Sequence, residues 1–172
     1  MKVAFERYSR LMMMLHWATA ALVVAAYLLS EGERQVRSNP PLWHFACGLA
    51  VLVLLVPRLI ARVLGAAPPL PDYGRRWLTL AARTSHALLY LLLLAVPLLG
   101  WYVASRLGVP AWLFGITLPP LTAAVPGPAG IFGQNHQVGG NLILILAGLH
   151  ALAALWHHFV LRDHTLRRMS PF

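Results

Sequence analysis

Four long apolar runs, at about Leu11–Ser30, Trp43–Arg62, Leu80–Ala104 and Val138–Leu161, limit what this chain can become. Each approaches or exceeds the ~20 residues that cross a hydrocarbon core of ~30 Å. Only 11% of the 172 residues are charged, where a soluble domain carries roughly a quarter. Within lipid every backbone amide needs an internal partner, so a span is either a helix or a strand of a closed barrel. These runs are continuous and rich in Leu and Ala, without the alternation of barrel strands. The expected fold is therefore all-α, a transmembrane four-helix bundle forming one domain over residues 1–172.

The basic residues set an orientation. Lys2, Arg7 and Arg10 precede the first run, and Arg162, Arg167 and Arg168 follow the fourth. Arg58, Arg62, Arg75, Arg76 and Arg83 flank the link between the second and third. The opposite loops hold Arg34, Arg37 and Arg106, so eleven of the fourteen basic residues fall on one side. The positive-inside rule then places both termini in the cytoplasm. The net charge of +9 reads as topology and contact with anionic lipid, not as a nucleic-acid footprint. The first run follows basic residues as a secretion signal does, but it is too long and contains His16 and Trp17, so an uncleaved helix is expected. The single Cys47 excludes an internal disulfide and a thiolate-held iron–sulfur cluster.

Between the runs, APPLPDYGRR from Ala67 has helix-breaking prolines and interfacial Tyr73, with Trp77 close behind. The connection from Ser105 to Gln134, containing VPAWLFGITLPP, is too rich in Pro and Gly for a fifth span, though it has room for a short interfacial helix near Trp112 and Phe114. Pro57 and Pro97 lie inside spans and are expected to kink them.

Histidines inside such spans are costly and point to function. His16 lies near the cytoplasmic end of the first span. His44 opens the second and His136 the fourth, both at the outer end. His150 follows His136 by fourteen residues, a helical rise of roughly 21 Å. That is nearly four whole turns, so the two share a face, and His150 falls level with His16. Two level pairs result, His16 with His150 and His44 with His136. Paired imidazoles from facing helices can clamp a haem iron from both sides of the ring. Gly48, Gly139, Gly140 and Gly148 lie close to these ligands and leave room for a macrocycle. Zinc fits less well, because each pair offers two ligands where structural sites use four. His86, His157 and His158 sit towards the cytoplasmic end, as candidates for haem-propionate or quinone contacts or as plain interfacial residues. His164 lies beyond the last span beside Asp163 and is expected to be solvated.

The segments RYSRLMMMLHW, HFACG, TSHALLYLLLLAVPLLG, WLFGITLP and GLHALAALWHHFVLRDHTLRRM together resemble the bacterial cytochrome b561 family of small dihaem membrane cytochromes. The resemblance covers nearly the whole chain. It implies a multi-pass protein of the bacterial inner membrane with two b-type haems, held by His16 with His150 and by His44 with His136. It also implies an oxidoreductase activity, the transfer of electrons from superoxide outside, through the outer and then the inner haem, to ubiquinone near the cytoplasmic face. An anionic donor needs a cationic approach, and the outer loops offer Arg34, Arg37 and Arg106 beside Glu31 and Glu33. Two other readings stand beside this one. The chain could anchor a partner dehydrogenase and pass its electrons to quinone, docking through the loop with Trp112 and Phe114. It could also be a transporter or scaffold without redox chemistry, though the spans have no midplane acidic residue. A homodimer is compatible with any of the three.

Overall fold

The computed structural model describes residues 7–30, 36–64 and 76–170; Lys2, Glu31, Glu33, Arg34, Tyr73 and Arg75 lie outside the described residues. Four helices, α1 (Arg10–Leu28), α2 (Leu42–Leu64), α3 (Arg76–Arg106) and α4 (Gly130–Phe159), carry the fold, and each is long and apolar enough to cross a membrane. Ser9 caps α1, its hydroxyl accepting from the Met12 amide at 3.2 Å. Pro40 and Pro41 precede α2, where a missing amide hydrogen costs least. Helices α2 and α3 continue past Pro57 and Pro97.

Two features depart from the expectations above. Helix α4 begins at Gly130, so His136 lies well inside the helix and not at its opening. Polar Gln134 and Asn135 end the apolar run, but Phe132 ahead of them packs on Tyr102 of α3 with ring centres 5.0 Å apart, and this contact carries the helix further. The segment with room for a short interfacial helix is instead a β-hairpin, β1 (Ala111–Leu113) antiparallel to β2 (Ile116–Leu118). Phe114 and Gly115 both adopt positive φ, at 45° and 96°. That is the two-residue turn whose twist suits adjoining strands, and it is incompatible with a helix. The hairpin lies over the start of α2, with Trp112 edge-on to Trp43 at 5.3 Å.

Helices pack in chain order, α1 on α2, α2 on α3 and α3 on α4. Val51 and Leu55 of α2 and Leu93 of α3 form one buried cluster of the core, flanked by Leu22, Val23 and Tyr90. Most other apolar side chains stay exposed, Val63 at 79% and Leu152 at 63%, as expected where lipid is the solvent. Helix α4 makes its extensive helix contacts with α3, leaving a cleft between α4 and the α1–α2 pair.

Both ends of the described chain lie at one end of the bundle. After α4 the chain reverses at Arg162 (φ 52°) and runs through a single 3-10 turn, Leu166–Arg168. This tail meets the start of α1: the Tyr8 amide donates to the Arg168 carbonyl at 3.1 Å, and Trp17 Nε1 to the Met169 carbonyl at 2.9 Å. It bridges α4 to α1 across that end of the cleft, opposite the hairpin.

Candidate functional site

The cleft is where the histidines meet. At the hairpin end, His44 of α2 faces His136 of α4, with ring centres 5.8 Å apart and planes at 87°. At the terminal end, His16 of α1 faces His150 of α4 at 6.4 Å and 74°. The structure therefore brings together the same two pairs that depth along the helices singled out.

The hairpin-end pair is oriented by backbone carbonyls. His44 Nδ1 lies 2.7 Å from the Ala26 carbonyl, in the last turn of α1, where carbonyls lack helical partners. His136 Nδ1 lies 3.0 Å from the Val96 carbonyl. A carbonyl only accepts, so each Nδ1 carries the hydrogen, and Nε2 of the neutral ring keeps its lone pair. Metal-binding imidazoles are commonly fixed in this way.

The spacing fits as well. With metal–nitrogen bonds of about 2 Å, two imidazoles on opposite sides of one ion have ring centres roughly 6 Å apart. Among the described residues no group of three or more His, Cys, Asp or Glu side chains could hold an ion unaided. Two axial imidazoles suit a metal that already sits in a macrocycle. A Cβ built on Gly48, Gly140 or Gly148 meets nothing within 4 Å, so the backbone beside the pairs borders open space. Gly139 differs, since a Cβ there would lie 2.6 Å from Val96, and its role is the close approach of α4 to α3.

The other histidines separate. His86 of α3 places its ring 5.4 Å from His150, a third imidazole at the terminal-end pair. His157 Nδ1 donates to Asp163 Oδ2 at 2.5 Å, pinning the tail to α4. Burial alone would raise the Asp163 carboxyl, but the hydrogen bonds from His157 and from the Thr165 amide outweigh it and hold the carboxyl below its ordinary value of 3.8. His158 lies edge-on to Phe159 of its own helix, and His164 is exposed.

Two residues of the site were not singled out in sequence. Gly100 of α3 lies directly against His136, where a Cβ would come 2.7 Å from the imidazole Cε1. Its only sequence signal is a small residue in a Leu-rich span. Arg58 of α2 reaches His16, with Nη2 2.9 Å from Nδ1; in sequence it counted only towards topology. At the hairpin end, both described arginines are engaged. Arg37 donates to the carbonyls of Val125 and Gly127 at 2.8 and 2.9 Å, and Arg106 lies over the Phe132 ring at 5.2 Å.

Paired imidazoles between apolar helices are the ligand arrangement of a haem-binding membrane protein. The chain belongs to the prokaryotic cytochrome b561 family, whose model matches residues 7–172. Members of this family bind b-type haem and transfer electrons in bacterial membranes. The chain is 32% identical over 170 residues to a Yersinia pestis protein called probable superoxide oxidase CybB, covering 96% of this chain and 97% of that one. It is 34% identical over 173 residues to cytochrome b561 homolog 2 of Escherichia coli (strain K12), covering 95% and 91%. Cytochrome b562 of Cereibacter sphaeroides is 37% identical over 173 residues, with 94% of each chain covered.

Proposed function

We propose that this chain is a dihaem cytochrome carrying electrons from superoxide at the outer face of the bacterial inner membrane to ubiquinone near the cytoplasmic face. The observation that carries this reading is the presence of two imidazole pairs at the two ends of one cleft, each with ring centres spaced to take one metal ion between them. His44 and His136 would hold the outer haem, and His16 and His150 the inner one. When bound, the haems supply one-electron carriers at two depths in an insulating layer. The basic terminal end faces the cytoplasm by the positive-inside rule, so the hairpin faces outward. Two superoxide anions each give up one electron and leave as dioxygen, and those electrons with two protons convert one quinone to the quinol. His86 and the His157–Asp163 pair stand at the end where those protons enter.

The superoxide donor draws on the name of the Yersinia pestis relative. One feature favours a second reading, in which a partner dehydrogenase supplies the electrons: Trp43 and Phe114 are 58% and 55% exposed on the hairpin face, the kind of aromatic surface a protein partner docks on. The deciding experiment is haem content per chain with a redox-difference spectrum, followed by quinone reduction in proteoliposomes. Two low-spin b-type haems and quinol formed from superoxide generated outside support the proposal. Two haems without superoxide-driven reduction leave the partner-fed carrier. A folded, haem-supplied chain that takes up no haem overturns both and leaves a transporter or scaffold.

A further inference from the structure

Arg58 is a cation set into a span, and among the described residues no carboxylate pairs with it. Its guanidinium carbon lies 5.3 Å from the centre of the Tyr90 ring, and that of Arg62 lies 5.6 Å from the same ring. Arg58 Nε is buried and has no hydrogen-bond partner among the described residues. The five acidic residues are Glu6, Glu31, Glu33, Asp72 and Asp163, and none lies on the four helices. A charge in a low-dielectric interior without a paired ion is strongly unfavourable. A guanidinium kept there implies an anion that the helices do not supply.

Its one hydrogen-bonding contact among the described residues sharpens the point. Nη2 of Arg58 lies 2.9 Å from His16 Nδ1. A guanidinium has no acceptor, so Nδ1 must accept, and the neutral ring then holds its hydrogen on Nε2. In that form Nε2 has no lone pair for a metal. The hairpin-end pair is the reverse, with both Nδ1 atoms donating and both Nε2 atoms open. The terminal-end site thus takes a metal at His16 Nε2 only after Arg58 releases Nδ1.

We propose that Arg58 is the counter-ion of a haem carboxylate at the His16–His150 pair. It holds His16 Nδ1 before haem enters and shifts to a propionate as haem binds. The idea rests on the ligand reading above, with Arg62 adding a second positive charge beside it. The shared chemistry is an oxyanion, which the phosphate of a membrane lipid also offers, and the experiment separates the two sources.

The full-length chain, freed of haem in detergent without phospholipid, is titrated with haem and with haem dimethyl ester, whose carboxylates are masked. The component lost in His16→Ala marks the terminal-end site, and haem at the other pair reports that each variant is folded. In the unsubstituted chain the ester is expected to bind that site about tenfold more weakly, the scale of one charge-assisted hydrogen bond. Arg58→Gln should bind free haem weaker by a similar factor and no longer distinguish the two forms, while Arg58→Lys should keep part of the preference. The proposal is overturned if Arg58→Gln discriminates as the unsubstituted chain does. It is equally overturned if phosphatidylglycerol vesicles abolish the preference, which would make lipid phosphate the partner. If His16→Ala loses no component, the ligand pairing fails instead.

Discussion

Gly100 of α3 and His136 of α4 are in direct contact: a Cβ at position 100 would lie 2.7 Å from the imidazole Cε1 and 3.1 Å from Nδ1. The same imidazole Nδ1 donates to the Val96 carbonyl one turn earlier on α3. Helix α3 therefore both fixes this ring and leaves space for it. Because the neighbour is a hydrogen-bonded ring and not a flexible chain end, an added methyl must displace it. Gly100→Ala should weaken haem retention at the His44–His136 pair, and Gly100→Leu should abolish it. Haem content should fall from about two per chain towards one, with the terminal-end haem unchanged in the redox-difference spectrum. Unaltered content in Gly100→Leu would mean that His136 does not need this orientation.

The histidine pairs give a sharper partition. His16→Ala or His150→Ala should remove the terminal-end haem alone, and His44→Ala or His136→Ala the hairpin-end haem alone. His86 tests the assignment from another side, because its ring also stands 5.4 Å from His150. With His16 as the ligand, His86→Ala keeps both haems low-spin. Loss of a haem in His86→Ala but not in His16→Ala would transfer the axial role to α3. The check is haem stoichiometry with the low-spin absorption signature in each purified variant.

The spans were legible because length and apolarity alone decide them: no other backbone survives in lipid. The histidine pairs were legible because a helix converts sequence separation into depth and face, so fourteen residues from His136 to His150 fix both. Contacts between helices were not encoded in this way. Gly100 against His136, and Arg58 against His16 across 42 residues of sequence, arise from how α3 and α2 are rotated in the bundle. The hairpin was hidden for a different reason. Its strands are three residues each, too short for an alternation to show, and the turn depends on Phe114 accepting a positive φ that sequence disfavours. The start of α4 was obscured by polar Gln134 and Asn135, which a hydropathy reading treats as loop.

The hairpin turn supplies a stability prediction separate from the haem sites. Gly115 has φ of 96° and a Cβ there would meet nothing within 4 Å, so a substitution is opposed by backbone conformation alone. Gly115→Ala should destabilise the chain by about 1–2 kcal/mol, the scale of the left-handed penalty. Haem content and spectra should stay unchanged, since the hairpin holds no ligand. Thermal denaturation in detergent with haem content measured alongside checks both halves. A haem loss at the His44–His136 pair would show that the hairpin, through Trp112 on Trp43, also positions α2.

Asp163 ties the tail to α4 through His157, and its carboxyl is held below the ordinary 3.8 by hydrogen bonding that outweighs burial. For an acid with a depressed folded-state value, the stabilisation is fully present above the unfolded value. It is lost as pH falls through the lower folded one. Asp163→Asn should therefore destabilise the tail at every pH above about 4. The difference from the unsubstituted chain should then shrink as acid protonates the native carboxyl. Amide hydrogen exchange at residues 160–170, compared between the two chains across pH, measures it. A difference that persisted undiminished in strong acid would mean that Asp163 acts through packing and not through its charge, and the tail would close the terminal end of the cleft independently of the His157 bond.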